Sequence, residues 1–156
     1  MKIGESIINE LIKEKEVVSA SVVGSYSENK KIEKIGDLDI VVVCKKLTKK
    51  IFFNILKRVK NKKYKYNLLI NSTFGPMKIN SNNSLPIHLM IYDIDGHINH
   101  VNSSPFTVYD WERSNYLIKK RLKDIYPTGT LQLRDFVESR RGIQNYLRDL
   151  SNEKIS

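Results

Sequence analysis

The sequence predicts an α+β fold, a mixed α/β arrangement in which helices cover a mixed sheet. Two observations carry this prediction. Short apolar runs rich in β-branched residues have the length and composition of buried strands, and stretches with helical spacing of apolar residues separate them. After Pro105 only helical spacing remains, so we expect a helical extension after the part that forms the sheet.

The elements of the first sixty residues follow from these patterns. Isoleucine and leucine recur among charged residues near the N-terminus, as in an amphipathic helix. Two β-branched apolar runs predict strands, and Thr48 is a suitable N-cap for a second amphipathic helix with a strongly basic polar face. The elements predicted here are a helix at 5–15, strands at 17–23 and 38–43, and a helix from 49 to about 60.

Two more strands are predicted in the middle of the chain, at 64–70 and at 87–92 within the longer apolar segment 84–93. Asp95 and Gly96 form a dipeptide that is typical of hairpin turns. We therefore expect the chain to turn there into a further strand at 97–101.

Residues beyond the sheet-forming part carry helical spacing over 109–125 and 131–150, with a break between them. This pattern predicts two domain segments. The core comprises 1–104, and a C-terminal helical extension at 105–156 packs on the same domain.

Length, composition and charge limit the possible number of domains, the location and the partners of the protein. A chain of 156 residues accommodates one domain with a full core, and no apolar run is long enough to span a membrane. The N-terminal segment has the scattered charges of a helix rather than the pattern of a secretory signal, so we expect a cytoplasmic protein. The net charge of +10 favours anionic partners, nucleic acid among them. Cys44 directly follows a valine run and is expected to be a structural thiol.

Two short motifs carry chemistry. Gly24, at the end of a predicted strand, lets backbone amides approach a phosphate, and Ser25 can donate its hydroxyl. Asp37 and Asp39 are two residues apart on a strand, so both side chains point to one face and can hold one cation. Carboxylate oxygens suit Mg²⁺, which would bridge the oxygens of a triphosphate.

The alternative interpretation is a plain turn followed by two solvated aspartates. Aspartate is disfavoured in strands, and Asp39 is followed at once by four apolar β-branched residues. An aspartate in that register is costly without a partner, and this favours the functional interpretation.

The glycine and serine, a spacer of eleven residues and the Asp37-Leu38-Asp39 tripeptide resemble the signature of the DNA polymerase β-like nucleotidyltransferase superfamily. The resemblance covers 17–43 closely and extends weakly to about residue 100. It implies transfer of a nucleoside monophosphate from an NTP such as ATP to an acceptor hydroxyl. It also implies that the two aspartates bind Mg²⁺ and that Gly24 and Ser25 bind the triphosphate.

The chain departs from the family's pattern where a later strand usually supplies a third carboxylate. His88 stands in that place, either as a base or phosphate contact or as a structural histidine. Asp93, at the end of the same strand, is the less favoured substitute. A zinc site built from His88, His97 and His100 is a further alternative, although the last two would diverge on an alternating strand.

The segment after Ser25 also departs from the pattern, because it lacks the family's glycine and arginine. Lys30 and Lys31 are the candidates to contact the phosphates instead, with a solvated loop as the equal alternative.

Two functions are therefore compared. The first is a metal-dependent nucleotidyltransferase that acts on a small molecule or a protein, since the chain is short for relatives that extend RNA. The second is a catalytically degenerate module of the same fold that binds nucleotide or nucleic acid without transfer.

Overall fold

The computed structural model describes residues 3–24, 37–71 and 84–103. These residues form four strands and three helices, and the α+β class predicted from the sequence is confirmed. The elements in chain order are α1 (Ile3–Leu11), β1 (Val17–Val23), β2 (Leu38–Cys44), α2 (Lys49–Asn61), β3 (Asn67–Asn71), β4 (Ser84–Asp93) and α3 (Ile94–Ser103).

The four strands form one mixed sheet in the order β1-β2-β4-β3. β1 pairs antiparallel with β2, whereas β2 and β3 both run parallel to β4. The parallel pair β2 and β4 joins strands that are far apart in sequence, because α2 and β3 lie between them along the chain. The sheet therefore brings the start of β2 beside the middle of β4.

One face of the sheet is covered by α1 and α2 and forms the main core. Ile7 and Leu11 of α1 and Ile55 and Val59 of α2 are fully buried against it. Burial of one such side chain contributes roughly 1.5–3 kcal/mol, so this layer dominates the stability of the described part. The sheet residues that complete this cluster are Val17, Ala20, Val22, Leu38, Ile40, Val42, Cys44, Leu85, Ile87 and Leu89.

Helix α2 begins as the sequence predicts. The hydroxyl oxygen of Thr48 accepts a hydrogen bond from the backbone N–H of Ile51 at 3.3 Å, which satisfies one of the unpaired amides of the first turn. The strand predicted at 64–70 begins later, at Asn67, and Tyr64 and Tyr66 of the preceding segment pack against the main core.

The opposite face of the sheet carries a smaller cluster of Val23, Val41 and Val43. Met90, Tyr92 and Ile94 pack against it, and Ile94 belongs to α3. Helices therefore contact both faces of the sheet, since α3 packs on the second face at the end of β4.

The hairpin predicted at Asp95 and Gly96 is wrong, because helix α3 follows β4 directly. Oδ1 of Asp93 accepts a hydrogen bond from the backbone N–H of Gly96 at 2.8 Å, as an N-cap residue does. Asp93 therefore caps a helix and is not available as the third acid of the site.

Two histidines predicted on a strand lie one turn apart on α3 instead. The rings of His97 and His100 are 6.0 Å and 5.1 Å from the ring of Tyr92, so the expectation that the two side chains diverge is wrong. Even so, no group of three or more His, Cys, Asp and Glu side chains among residues 3–24, 37–71 and 84–103 is placed to hold a metal ion. The zinc alternative gains no support.

His97 makes stability depend on pH. The ring is 2% exposed, and burial, helped by the neighbouring His100, lowers its pKa to about 4. Because the folded pKa lies below the unfolded value of about 6.5, the neutral ring stabilises the fold above that pH. We expect about 3 kcal/mol of unfolding free energy to be lost as pH falls from 6.5 to 4.

Urea unfolding at neutral pH and at pH 4 measures this loss. His97→Leu is expected to remove the dependence contributed by the His97 ring. His100→Gln should remove the smaller effect of His100 on that ring and the dependence contributed by His100 itself, since burial lowers its pKa as well. An equal pH dependence in wild type and His97→Leu would contradict the assignment.

Cys44 is fully buried, and burial raises the pKa of its thiol to about 11, in agreement with a structural role. None of the three helices that the structure describes has the length and apolar character needed to cross a membrane. The helices predicted at 109–125 and 131–150, and with them the extension at 105–156, lie outside the described residues.

Candidate active site

The site begins where β1 ends and β2 starts. These strands are antiparallel, so Val23 at the end of β1 lies directly opposite Asp39, the second residue of β2. Asp39 shares its face with Val41 and Val43, whereas Leu38 and Ile40 point into the main core. The carboxylate is therefore on the face that α1 and α2 leave uncovered.

Gly24 follows β1 directly and lies against the side chain of Asp39. Its φ of +70° lies in the left-handed region, where glycine has no steric penalty. A Cβ at this position would overlap Oδ2 of Asp39. The absence of a side chain thus brings the backbone of the predicted phosphate-binding glycine into contact with the predicted metal ligand.

His88 lies on the other side of Asp39. β2 and β4 are parallel and in register here, so the two residues are direct neighbours on the same face. Nδ1 of His88 is 3.3 Å from Oδ1 of Asp39. The side chains are 15% and 25% exposed, so the pair is partly shielded from water and its electrostatic interaction is only partly screened.

Asp37 precedes β2 and completes the group. Burial raises the pKa of its carboxyl above the ordinary value, and the negative charge of Asp39 raises it further. His88 acts in the opposite direction. The three side chains therefore interact electrostatically, and a bound cation would relieve the repulsion between the two carboxylates.

The donor set fits a hard divalent cation. Two carboxylates are sufficient protein ligands for Mg²⁺, which commonly keeps water and phosphate oxygens in its remaining positions. Asp37 and Asp39 supply such a pair, and within the described ranges no third carboxylate joins them. This chemistry agrees with a site completed by the phosphates of a ligand.

The other predicted residues divide into two groups. Asp93 is five residues beyond His88 on β4, about 16 Å along the strand, and it caps α3. Ser25, Lys30 and Lys31, the remaining predicted phosphate contacts, lie outside the described residues and stay predictions.

The contact of Asp39 with Gly24 agrees with the motif, because antiparallel pairing of strands that end at Gly24 and begin near Asp39 makes the two residues neighbours. The contact of Asp39 with Nδ1 of His88 was not specified by the sequence. It depends on β4 lying next to β2, which no local signal indicates.

Comparison with known proteins identifies the family. The model of the nucleotidyltransferase domain matches residues 5–89, which is more than half of the chain. The match runs from α1 to β4 and includes Gly24, Asp37, Asp39 and His88. Neither a curated protein nor a solved structure shows significant similarity to the chain. The family match confirms the resemblance drawn from the glycine, serine and paired aspartates, and the chain belongs to the nucleotidyltransferase domain family.

Proposed function

We propose that this protein transfers a nucleoside monophosphate from an NTP to a hydroxyl of a small molecule or a protein, with Mg²⁺ as the metal. Family membership supports nucleotidyl transfer in general. The observation that carries the finer proposal is the position of Asp39, held between the backbone of Gly24 and the ring of His88.

Different residues of the chain would bind the triphosphate and the cation. Gly24, Ser25, Lys30 and Lys31 would hold the triphosphate, and Asp37 and Asp39 would hold the cation. Mg²⁺, when bound, would offset the charge on the phosphate oxygens and on the departing pyrophosphate. The acceptor oxygen would attack the α-phosphorus while its proton passes to a base or to water.

His88 is best explained as a positioning residue. Its Nδ1 faces Oδ1 of Asp39, and its Nε2 is buried. An imidazole that holds one oxygen of a metal-binding carboxylate fixes the direction of the other, as outer partners of metal ligands commonly do. In this arrangement Oδ2 of Asp39 is the oxygen turned toward Gly24.

A positioning role and a general-base role for His88 predict different responses of the activity of His88 variants to added Mg²⁺. For a positioning role, we expect His88→Leu to raise the Mg²⁺ concentration for half-maximal activity by about tenfold. His88→Asn, whose amide can replace Nδ1 as a donor, should recover most of that loss. Titrating activity with Mg²⁺ measures both. A general base predicts instead an equal loss of kcat in both variants at saturating Mg²⁺, with a changed pH profile.

The activity itself can be tested without knowing the acceptor. Each NTP, labelled at the α-phosphorus, is incubated with the protein, Mg²⁺ and a cell extract separated into small molecules, proteins and RNA. Label in the small-molecule or protein fraction supports the proposal, and label in RNA alone contradicts the proposed acceptor class.

The non-catalytic alternative makes a different prediction. It is favoured by the lack of a third carboxylate among the described side chains. A protein that NTP and Mg²⁺ stabilise against heat, but that labels no fraction, would support this alternative and overturn transfer.

A further inference from the structure

The outer surface of α2 is strongly basic and lies apart from the candidate active site. Residues 45–66 contain ten basic residues and no acidic one. Two of the ten are paired with acidic residues: Lys62 lies 2.9 Å from Glu10 of α1, and Arg58 lies 3.6 Å from Glu14 in the segment after α1. The other eight are exposed lysines, at positions 45, 46, 49, 50, 57, 60, 63 and 65.

An aromatic ring stands in the middle of these charges. Phe53 is 54% exposed, and no other large apolar side chain within the described ranges is exposed. Its ring meets Phe52 edge to face at 5.6 Å, which restricts its orientation. Along the helix, Lys50, Phe53, Lys57 and Lys60 are three or four residues apart, so they form one stripe about 15 Å long.

We propose that this stripe, the α2 basic stripe of Lys50, Phe53, Lys57 and Lys60, binds single-stranded nucleic acid. Lysines that follow a backbone and an aromatic ring that stacks on a base are the two components of such surfaces. Phosphates would contact the lysines, and an unpaired base would lie on Phe53.

The geometry favours a single strand over a membrane surface or a duplex. A membrane-binding helix needs a wide exposed apolar face, but the apolar residues Ile55 and Val59 of α2 are buried against the sheet. Duplex nucleic acid offers phosphates but keeps its bases stacked, so Phe53 would contribute nothing to binding it.

The surface is separate from the nucleotidyltransferase site. α2 packs on the face of the sheet that carries Ile40 and Ile87, whereas Asp39 and His88 lie on the other face. Binding at the stripe therefore does not depend on the proposed function. An Asp39→Asn protein is expected to bind nucleic acid as the wild type does, and NTP with Mg²⁺ should not displace the strand.

The test measures fluorescence anisotropy of a short labelled oligouridylate against the whole protein over a range of salt concentrations. Lys50→Gln with Lys57→Gln is expected to weaken binding about 10- to 30-fold and to reduce the salt slope by about 1.4. The matched control is Lys13→Gln with Lys15→Gln. It removes the same net charge from a segment where Glu10, Glu14 and Glu16 already balance the lysines, and it should leave affinity nearly unchanged.

Stacking is tested at Phe53. Phe53→Leu keeps an apolar side chain but has no ring, and it is expected to weaken binding about tenfold. Since Phe53 is exposed, the unfolding temperature of the Phe53→Leu variant should match that of the wild type. The proposal is overturned if the control pair weakens binding as much as the stripe pair, or if Phe53→Leu binds like wild type. Equal affinity for duplex, or binding to anionic lipid vesicles or an acidic peptide with no binding to the oligonucleotide, would also overturn it.

Discussion

Replacing Asp39 with asparagine is expected to reduce nucleotidyl transfer at least about a hundredfold, because the variant removes one of two charges that would hold the cation. Asparagine has nearly the same shape, so the contacts with Gly24 and His88 can persist. We therefore expect little change in the free energy of unfolding. Transfer of label from the α-phosphorus of an NTP and urea unfolding measure the two quantities.

A matched control separates a specific loss from a general effect of charge. Asp95→Asn makes the same chemical change at an exposed residue in the first turn of α3. It should retain transfer, with at most a small loss of stability from the weaker interaction with the helix dipole. Undiminished transfer by Asp39→Asn would refute the assignment of the metal site, as would an equal loss in Asp95→Asn.

Elements set by local signals were predicted well. The β-branched runs of β1 and β2 and the Thr48 cap of α2 appear where the sequence places them, because strand composition and capping act within a few residues. The predicted strand at 87–92 lies within β4, and its side chains alternate as in any strand, with Met90 and Tyr92 on the face opposite to Leu89 and Ile91.

Helix α3 was missed because one sequence is compatible with two local structures. Asp95 and Gly96 suit a hairpin turn, but Asp93 three residues before Gly96 suits a helix cap equally well. The choice is made by packing: Ile94 and His97 lie against the second face of the sheet, next to Tyr92. That face is built by strands distant in sequence, so the local pattern contains no sign of it.

In the candidate site, too, local features were predicted and contacts between distant strands were not. Gly24 and the aspartates were identified from a motif of fixed spacing, which lies within a short stretch of sequence from the end of β1 to the start of β2. The link between Asp39 and His88 instead requires β4 to insert between β2 and β3. Since that order is a property of the whole sheet, the sequence indicated His88 as a candidate but not which atom it contacts.

Gly24→Ala should abolish most activity through the same contact that shapes the site. A Cβ would overlap Oδ2 of Asp39, so the carboxylate must move or the end of β1 must shift. The positive φ adds a cost of about 1–2 kcal/mol for any L side chain. We expect transfer to fall at least about tenfold even at temperatures where the variant remains folded, since a displaced ligand misplaces the reacting groups.

Gly96→Ala is the control that makes this result interpretable. Its Cβ would also meet an aspartate oxygen, Oδ1 of Asp93 at 2.8 Å, but at the cap of α3, where β4 ends five residues beyond His88. We expect it to lose about 0.5–2 kcal/mol of stability through the disturbed cap and to keep transfer and Mg²⁺ dependence. If both variants lose transfer in proportion to stability, Gly24 acts only through folding. Loss confined to Gly24→Ala would show that the glycine acts through its contact with Asp39, the proposed metal ligand.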